Sequence, residues 1–264
     1  MYKISFIGGG NMALAIIGGL VASGQPAANI EVLDVNPEAR SRLATSFGVR
    51  AHAVLDDLPL GDLIVLAVKP QQLPEVATAL APRLENQLVL SIAAGVRLAD
   101  LSRWLGGHAR LARAMPNTPA LVRAGISGLY AAMAVDAAGR SAAEGVLRAV
   151  GGVVWVADEA QLDAVTAVSG SGPAYVFYCI EALEEAAVAA GLPHDVARQL
   201  ALQTFFGAGK LALESGEEPG VLRARVTSRG GTTERGVAAL DAAGVKAAMV
   251  RAVEDSFYQG LELP

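Results

Sequence analysis

Three adjacent glycines, Gly8, Gly9 and Gly10, follow the apolar stretch Ile4-Ser5-Phe6-Ile7. They run into an apolar pattern with Leu14, Ile17, Gly18 and Val21 on one helical face. Gly8-x-Gly10-x-x-Ala13 is the spacing of a dinucleotide-binding turn between a strand and a helix. Gly8 permits the tight turn. Gly10 leaves the backbone bare for a pyrophosphate. Ala13 is small enough for the helix to lie close on the strand. Unpaired N–H groups and a partial positive charge at the helix start then face the phosphates. The candidate cofactor-binding residues of this turn are Ile7, Gly8, Gly9, Gly10, Asn11 and Met12. A tight turn with no ligand would use the same glycines, so the remaining stretches have to agree.

Asp34 stands about 20 residues beyond Ala13, where a carboxylate accepts hydrogen bonds from an adenosine ribose and selects NAD. Asn36 and Arg40 follow closely and can serve a 2′-phosphate, so NAD and NADP both stay open. Ala67-Val68-Lys69-Pro70 and Ser91-Ile92-Ala93-Ala94-Gly95 each close an apolar strand pattern. Open parallel sheets bind ligands at such strand ends. Lys69 is a strand-end cation able to face cofactor or a substrate carboxylate, or simply solvent. Ala93, Ala94 and Gly95 are small, as a nicotinamide ring passing close to backbone requires.

Thr227 to Glu234 is the second stretch with chemical content. Two glycines precede two threonines at a helix start. The N–H groups of Gly230, Gly231, Thr232 and Thr233 can converge on a carboxylate with help from the helix dipole. An ordinary helix start, with Thr232 and Glu234 sharing the capping, explains the same residues. Ala114 to Pro119 has prolines near both ends and reads as a rigid turn. Val168 to Tyr175 opens a long helix, with Ser169 or Ser171 as its cap and Pro173 in its first turn.

The absences constrain mechanism. No Ser/His/Asp signature, no metal-ligand spacing and no catalytic histidine stands out; His52, His108 and His194 are scattered and read as surface or loop residues. Cys179 is the only cysteine, which excludes an internal disulfide and a cysteine metal cluster, and makes a cytoplasmic setting the default expectation. A net charge of −5 without a long basic run argues against nucleic acid. No apolar run reaches the roughly 18 residues of a membrane span. Met12 to Ala22 is apolar enough for a signal-peptide core, but a strand and a glycine turn precede it and no basic segment does.

The elements that position these residues come in two styles. The chain has 264 residues, 53% of them apolar, enough for one large or two modest domains. Strand patterns at Ile4–Ile7, Glu31–Val35, Leu63–Val68, Leu88–Ile92, Arg110–Met115, Ser127–Met133 and Val153–Val156 alternate with helices at 37–47, 73–84, 98–105 and 136–150. That alternation predicts an α/β doubly wound sheet. From about residue 160 the strand signal stops. Helices are expected at Tyr175–Ala190, Asp195–Ser215, Val221–Val226, Thr233–Ala243 and Val245–Leu261. They are alanine-rich and apolar over broad faces, which favours burial against a second subunit over a monomeric bundle. The expected division is a dinucleotide-binding domain at 1–158 and a helical substrate-binding and dimerisation domain at 159–264.

Taken together, the motifs resemble the pyrroline-5-carboxylate reductase family. The matching stretches are Phe6-Ile-Gly-Gly-Gly-Asn-Met-Ala13, Ala67-Val-Lys-Pro70, Ser91-Ile-Ala-Ala-Gly95, Arg113-Ala-Met-Pro-Asn-Thr-Pro119, Ser169-Gly-Ser-Gly-Pro-Ala-Tyr175 and Gly230-Gly-Thr-Thr233. They occur in the family's order and span nearly the whole chain. The resemblance implies a Rossmann-like N-terminal domain and an all-α C-terminal domain that dimerises by interlocking helices, with larger rings of dimers in some members. It implies reduction of 1-pyrroline-5-carboxylate to L-proline with NADPH, or with NADH in some members. It places Ser228, Gly230, Gly231, Thr232 and Thr233 on the substrate carboxylate, with Thr233 near the ring nitrogen. It places Ala67–Pro70 and Ala93–Gly95 along the nicotinamide half of the cofactor.

Two departures stand out. Arg229 replaces a proline frequent in the family, which loosens the turn and adds a cation. Asp34 stands where members that prefer NADPH often carry a hydroxyl or a base. A protonated cyclic imine needs little acid–base help, because hydride attack neutralises its nitrogen, so alignment supplies most of the rate. Thr233 is too weak an acid to protonate the imine and reads as an orienting partner. A β-hydroxyacid dehydrogenase would need a lysine where Val176 stands. A reductase of another cyclic imine and a non-catalytic dinucleotide sensor are the alternative functions.

Overall fold

The computed structural model describes residues 2–261. Eight strands form one sheet: β1 (Ile4–Ile7), β2 (Ile30–Leu33), β3 (Arg50–His52), β4 (Leu63–Leu66), β5 (Leu88–Ser91), β6 (Leu111–Met115), β7 (Gly125–Ala131) and β8 (Gly151–Trp155). Their spatial order is β3-β2-β1-β4-β5-β6-β7-β8. All neighbours are parallel except β6 and β7. The first six strands follow the doubly wound order, whose chain reversal lies between β1 and β4.

Helices cover both faces because the central strands are apolar on both. Phe6, Val65 and Leu90 pack with Ile16, Ile17, Val146 and Leu147. These belong to α1 (Asn11–Ala22) and α5 (Ala137–Arg148). Their strand neighbours Ile7, Ile64, Leu66 and Val89 point the other way, onto Leu73, Ala77, Leu80 and Leu101 of α3 (Leu73–Leu80) and α4 (Leu98–Trp104). Alternation along a strand thus supplies two cores. The helix α2 (Pro37–Phe47) completes this half, with Asn36 as its cap and Gly48 in the left-handed conformation at its end.

Several sequence expectations need correction here. The helix expected at 73–84 ends at Leu80, and a 3₁₀ turn over Ala81–Arg83 carries Pro82. The strand β3 was not anticipated. It is short and polar, and lies at the sheet edge. His52 on it is no loop residue: its Nε2 lies 2.8 Å from Glu31 Oε2, while Arg50 holds the other oxygen. Burial raises the Glu31 pKa, but these two hydrogen bonds outweigh it and hold the carboxyl below its ordinary range. The strand β7 runs antiparallel because only residues 116–124, with a 3₁₀ turn over Thr118–Val122, connect it to β6. A crossover to a parallel strand needs a longer connection.

Beyond β8 come α6 (Gln161–Val165), a π-helical turn over Thr166–Gly170, and α7 (Gly172–Ala189). Ser169 therefore lies inside the π turn rather than at a helix start. Its hydroxyl donates to Val165 O at 2.9 Å and caps nothing. Then follow α8 (His194–Ser215), α9 (Pro219–Arg225), α10 (Thr232–Ala242) and α11 (Val245–Leu261). The chain divides into two compact units. One runs through Ser171 and takes in the chain from Phe257; the other is Gly172–Ser256. Residues 159–171 thus pack with the sheet. Within Gly172–Ser256 only Ala197 and Ala201 are buried. Phe177, Tyr178, Leu202, Phe206 and Leu213 are all exposed in the single chain.

Candidate active site

The glycine turn lies at the carboxyl end of β1, against the ends of β2 and β4. Gly8 N–H donates to Leu33 O at 2.8 Å, and Ala67 N–H to Ile7 O at 2.8 Å. Gly8 has φ +103°, and a Cβ there would sit 2.7 Å from the Ala67 carbonyl. This position is closed to other residues by conformation and by contact alike. Gly10 is the opposite case. A Cβ on it would meet nothing within 4 Å, and its φ of −68° suits any residue. The folded chain itself has no need of glycine there, and Gly10 borders a cleft. Gly10 also begins α1 with no side-chain cap, so the first-turn amides of Asn11, Met12 and Ala13 lack acceptors within the helix. Open space beside free amides at a helix N-terminus fits a pyrophosphate.

A cleft of about 260 Å³ opens beside the turn. It gathers Ile7, Gly8, Gly10, Asp34, Ala67, Val68 and Lys69 from the expected cofactor set. Lys69 is exposed, and its ammonium has no partner among the described residues. Gly9, Asn11, Met12, Asn36, Pro70, Ala93, Ala94 and Gly95 do not line this cleft. The cleft adds Leu33, Val35, Gln72 and Val76, which the sequence reading missed. Val35 is 81% exposed next to a candidate ribose ligand. An apolar residue at such a strand end is the signal that could have found it.

Asp34 does more than face a ribose. Its Oδ2 accepts from Gly9 N–H at 2.6 Å and its Oδ1 from Asn36 N–H at 2.8 Å. The carboxylate ties the glycine turn to the end of β2. Asn36 Oδ1 caps α2 through Glu38 N–H at 2.8 Å and Ala39 N–H at 3.4 Å. Arg40 Nη1 donates to the carbonyls of Asp34 and Val35 at 2.7 and 2.9 Å. The guanidinium is thus anchored on the backbone at the end of β2, with Nη2 and Nε left without partners among the described residues.

At the next strand end, Ala93 is buried, its N–H lies 3.3 Å from Ser91 Oγ, and Gly95 has φ +78°. The turn after β6 is structural. Asn117 is buried; its Nδ2 donates to Ser169 O at 3.0 Å and its Oδ1 accepts from Ile126 N–H at 2.9 Å.

In the second unit, Gly231 is the N-cap of α10 and makes no side-chain cap, so Thr232 is not the capping residue. Glu234 reaches back, accepting from Gly230 N–H at 2.7 Å, and Gly231 N–H donates to Ser228 O at 3.0 Å. Of the four amides expected to converge on an anion, those of Gly230 and Gly231 are engaged inside the turn. The amides of Thr232 and Thr233 remain. Gly230 has φ +74°, and Thr233 is exposed with no hydrogen-bond partner for its hydroxyl among the described residues. No group of His, Cys, Asp and Glu among the described residues is arranged to hold a metal ion.

The doubly wound sheet, the bare glycine turn and the cleft at its strand ends define a dinucleotide-binding oxidoreductase fold. Residues 3–95 match the family model for NADP oxidoreductase, coenzyme F420-dependent, and residues 159–263 match that for pyrroline-5-carboxylate reductase dimerisation. The chain is 47% identical to the pyrroline-5-carboxylate reductase of Pseudomonas aeruginosa over 267 aligned residues, covering 99% of this chain and 96% of the relative. A solved pyrroline-5-carboxylate reductase from Coxiella burnetii superposes with a TM-score of 0.93 at 39% identity, covering 99% and 98% of the two chains. The Plasmodium falciparum enzyme, solved with NADP bound, gives 0.87 at 27% identity, covering 98% and 97%. The chain belongs to the pyrroline-5-carboxylate reductase family. Among the described residues no helix is long and apolar enough to cross a membrane.

Proposed function

We propose that this protein reduces 1-pyrroline-5-carboxylate to L-proline, the closing step of proline biosynthesis, with NADPH as donor. The observation that carries the reading is the Gly10 turn, where a Cβ would meet nothing within 4 Å beside the cleft, in a chain 47% identical to a pyrroline-5-carboxylate reductase along almost its full length. When bound, the nicotinamide supplies the hydride that the carbon of the C=N bond accepts.

The chain's own residues bind and orient. The α1 amides and Gly10 hold the pyrophosphate. Asp34, through Gly9 and Asn36, keeps the turn in shape. Arg40, anchored on the Asp34 and Val35 carbonyls with two guanidinium nitrogens to spare, brings to the end of β2 a positive charge that a 2′-phosphate can use, which supports NADPH over NADH. Ala67–Pro70 and Ala93–Gly95 take the nicotinamide half. In the second unit, Ser228, Thr232 and Thr233 hold the substrate carboxylate, with the Gly230-Gly231 turn presenting them. Thr233 directs its hydroxyl at the ring nitrogen and orients it, while the proton comes from solvent. The exposed apolar faces of α7 and α8 support a homodimer, and dimers of this kind assemble further in our reading. The working partner set is the substrate, the nucleotide and a second copy, in the cytoplasm, without nucleic acid.

Thr233→Ala tests the substrate assignment. Loss of one orienting hydrogen bond lowers turnover by roughly tenfold. Because Thr233 is not among the residues of the glycine turn or its cleft, the NADPH dissociation constant stays at the parent value. Unchanged steady-state turnover removes Thr233 from the mechanism.

A further inference from the structure

The loop between β5 and α4 carries Ala93, Ala94 and Gly95, and it is fastened from outside. Arg97, at the N-cap of α4, offers no side-chain cap. The first amide of the helix, Leu98 N–H, donates instead to Glu159 Oε1 at 2.7 Å, a residue 61 positions further on. The same oxygen accepts from Arg113 Nη1 at 2.6 Å. Arg113 is only 4% exposed and lies on β6 directly beside Ser91 of β5. Arg97 closes the set, with Nη2 donating to Asp163 Oδ2 at 2.5 Å and Nη1 to Glu159 O at 3.4 Å.

Arg113 is buried and the two carboxylates are largely so; charges taken out of water are costly, and an apolar cluster of equal volume is often as stable. What this cluster does that an apolar one cannot is fix a backbone position. Glu159 grips the amide that follows the 92–97 loop, and Arg113 locks the Glu159 carboxylate in place. At the other end, the Ser91 hydroxyl accepts the Ala93 N–H. The loop is therefore held at Ala93, the first of the three small residues, and at Leu98 just beyond it. All of these groups lie within the sheet-bearing unit.

The geometry points to Glu159 as a positioning residue for the nicotinamide end of the cofactor, acting through the Ala93–Gly95 loop, with Arg113 holding it. This rests on the reading that the loop faces the nicotinamide. The adenosine half sits at the β1–β2 side of the sheet and does not depend on this clamp.

Two ligands separate the halves: NADPH, and adenosine 2′,5′-bisphosphate, which occupies only the adenosine side. Both are titrated by calorimetry into the full-length parent, Glu159→Ala and Glu159→Gln. The alanine variant is expected to bind NADPH about tenfold more weakly, the scale of one charged hydrogen bond lost, with adenosine 2′,5′-bisphosphate bound as by the parent. The glutamine variant keeps an acceptor for Leu98 N–H and recovers part of that loss. In steady state the alanine variant raises the KM for NADPH more than the KM for the imine. Equal weakening of both ligands marks a merely structural role and overturns the inference, as does unaltered NADPH binding in both variants. If the parent binds neither ligand, the dinucleotide reading fails first, and that outcome is recognised before any variant is compared.

Discussion

Gly10→Val is expected to fold like the parent and to lose dinucleotide binding by at least a hundredfold. The folded chain tolerates the side chain, since a Cβ at Gly10 meets nothing within 4 Å and the backbone there is ordinary for an L-residue. The valine methyls would instead fill the space in front of the α1 amides. A pyrophosphate held off those amides forfeits two or more charge-assisted hydrogen bonds, each contributing about 1.5–3 kcal/mol, and two at the low end of that range already exceed the roughly 2.8 kcal/mol of a hundredfold in affinity. Thermal melting and NADPH titration read the two halves of the expectation separately. Gly8→Val is the contrast: at φ +103° and 2.7 Å from the Ala67 backbone, it loses the fold as well as the ligand. Normal NADPH binding by Gly10→Val would show that the turn is structural only.

Phe206→Glu combined with Leu213→Glu is expected to yield a monomer. Leu202, Phe206 and Leu213 share a helical face of α8 and are 47%, 64% and 85% exposed in the single chain. A contiguous apolar face of this kind marks an interaction surface. Residues 159–263 match a dimerisation domain, so the partner is a second copy. Two carboxylates placed in that interface have no counter-charge, and burying each costs several kcal/mol. The dimer dissociation constant then rises by roughly a thousandfold or more. Sedimentation velocity at micromolar concentration distinguishes the species. A double variant that sediments as the parent dimer places the interface on another face.

The glycine turn was legible because its chemistry is local: a buried strand, three glycines and an apolar helix lie within about 20 consecutive residues. The central strands were legible for the same reason, as continuous apolar runs. Direction was not. The run expected at Ser127–Met133 reads alike parallel or antiparallel, and only the short connection from Met115 makes the strand, which the structure sets at Gly125–Ala131, reverse. The strand β3 hides because Arg50 and His52 are polar, and their partner Glu31 is distant in sequence. Glu159 went unseen as part of the site because its partners, Leu98 and Arg113, lie 61 and 46 positions away. At Gly230 and Gly231 the residue types gave the right kind of turn. Which amides the turn consumes depends on where the Glu234 side chain points, and that is a property of the folded backbone.

The central claim meets its most direct test in the absorbance of reduced nicotinamide, followed with purified protein and 1-pyrroline-5-carboxylate, with NADPH and NADH run in parallel. The account predicts rapid oxidation with proline as product, and faster turnover with NADPH, because Arg40 brings positive charge to the strand end that carries Asp34. Protein that binds NADPH yet oxidises neither nucleotide in the presence of the imine would contradict it.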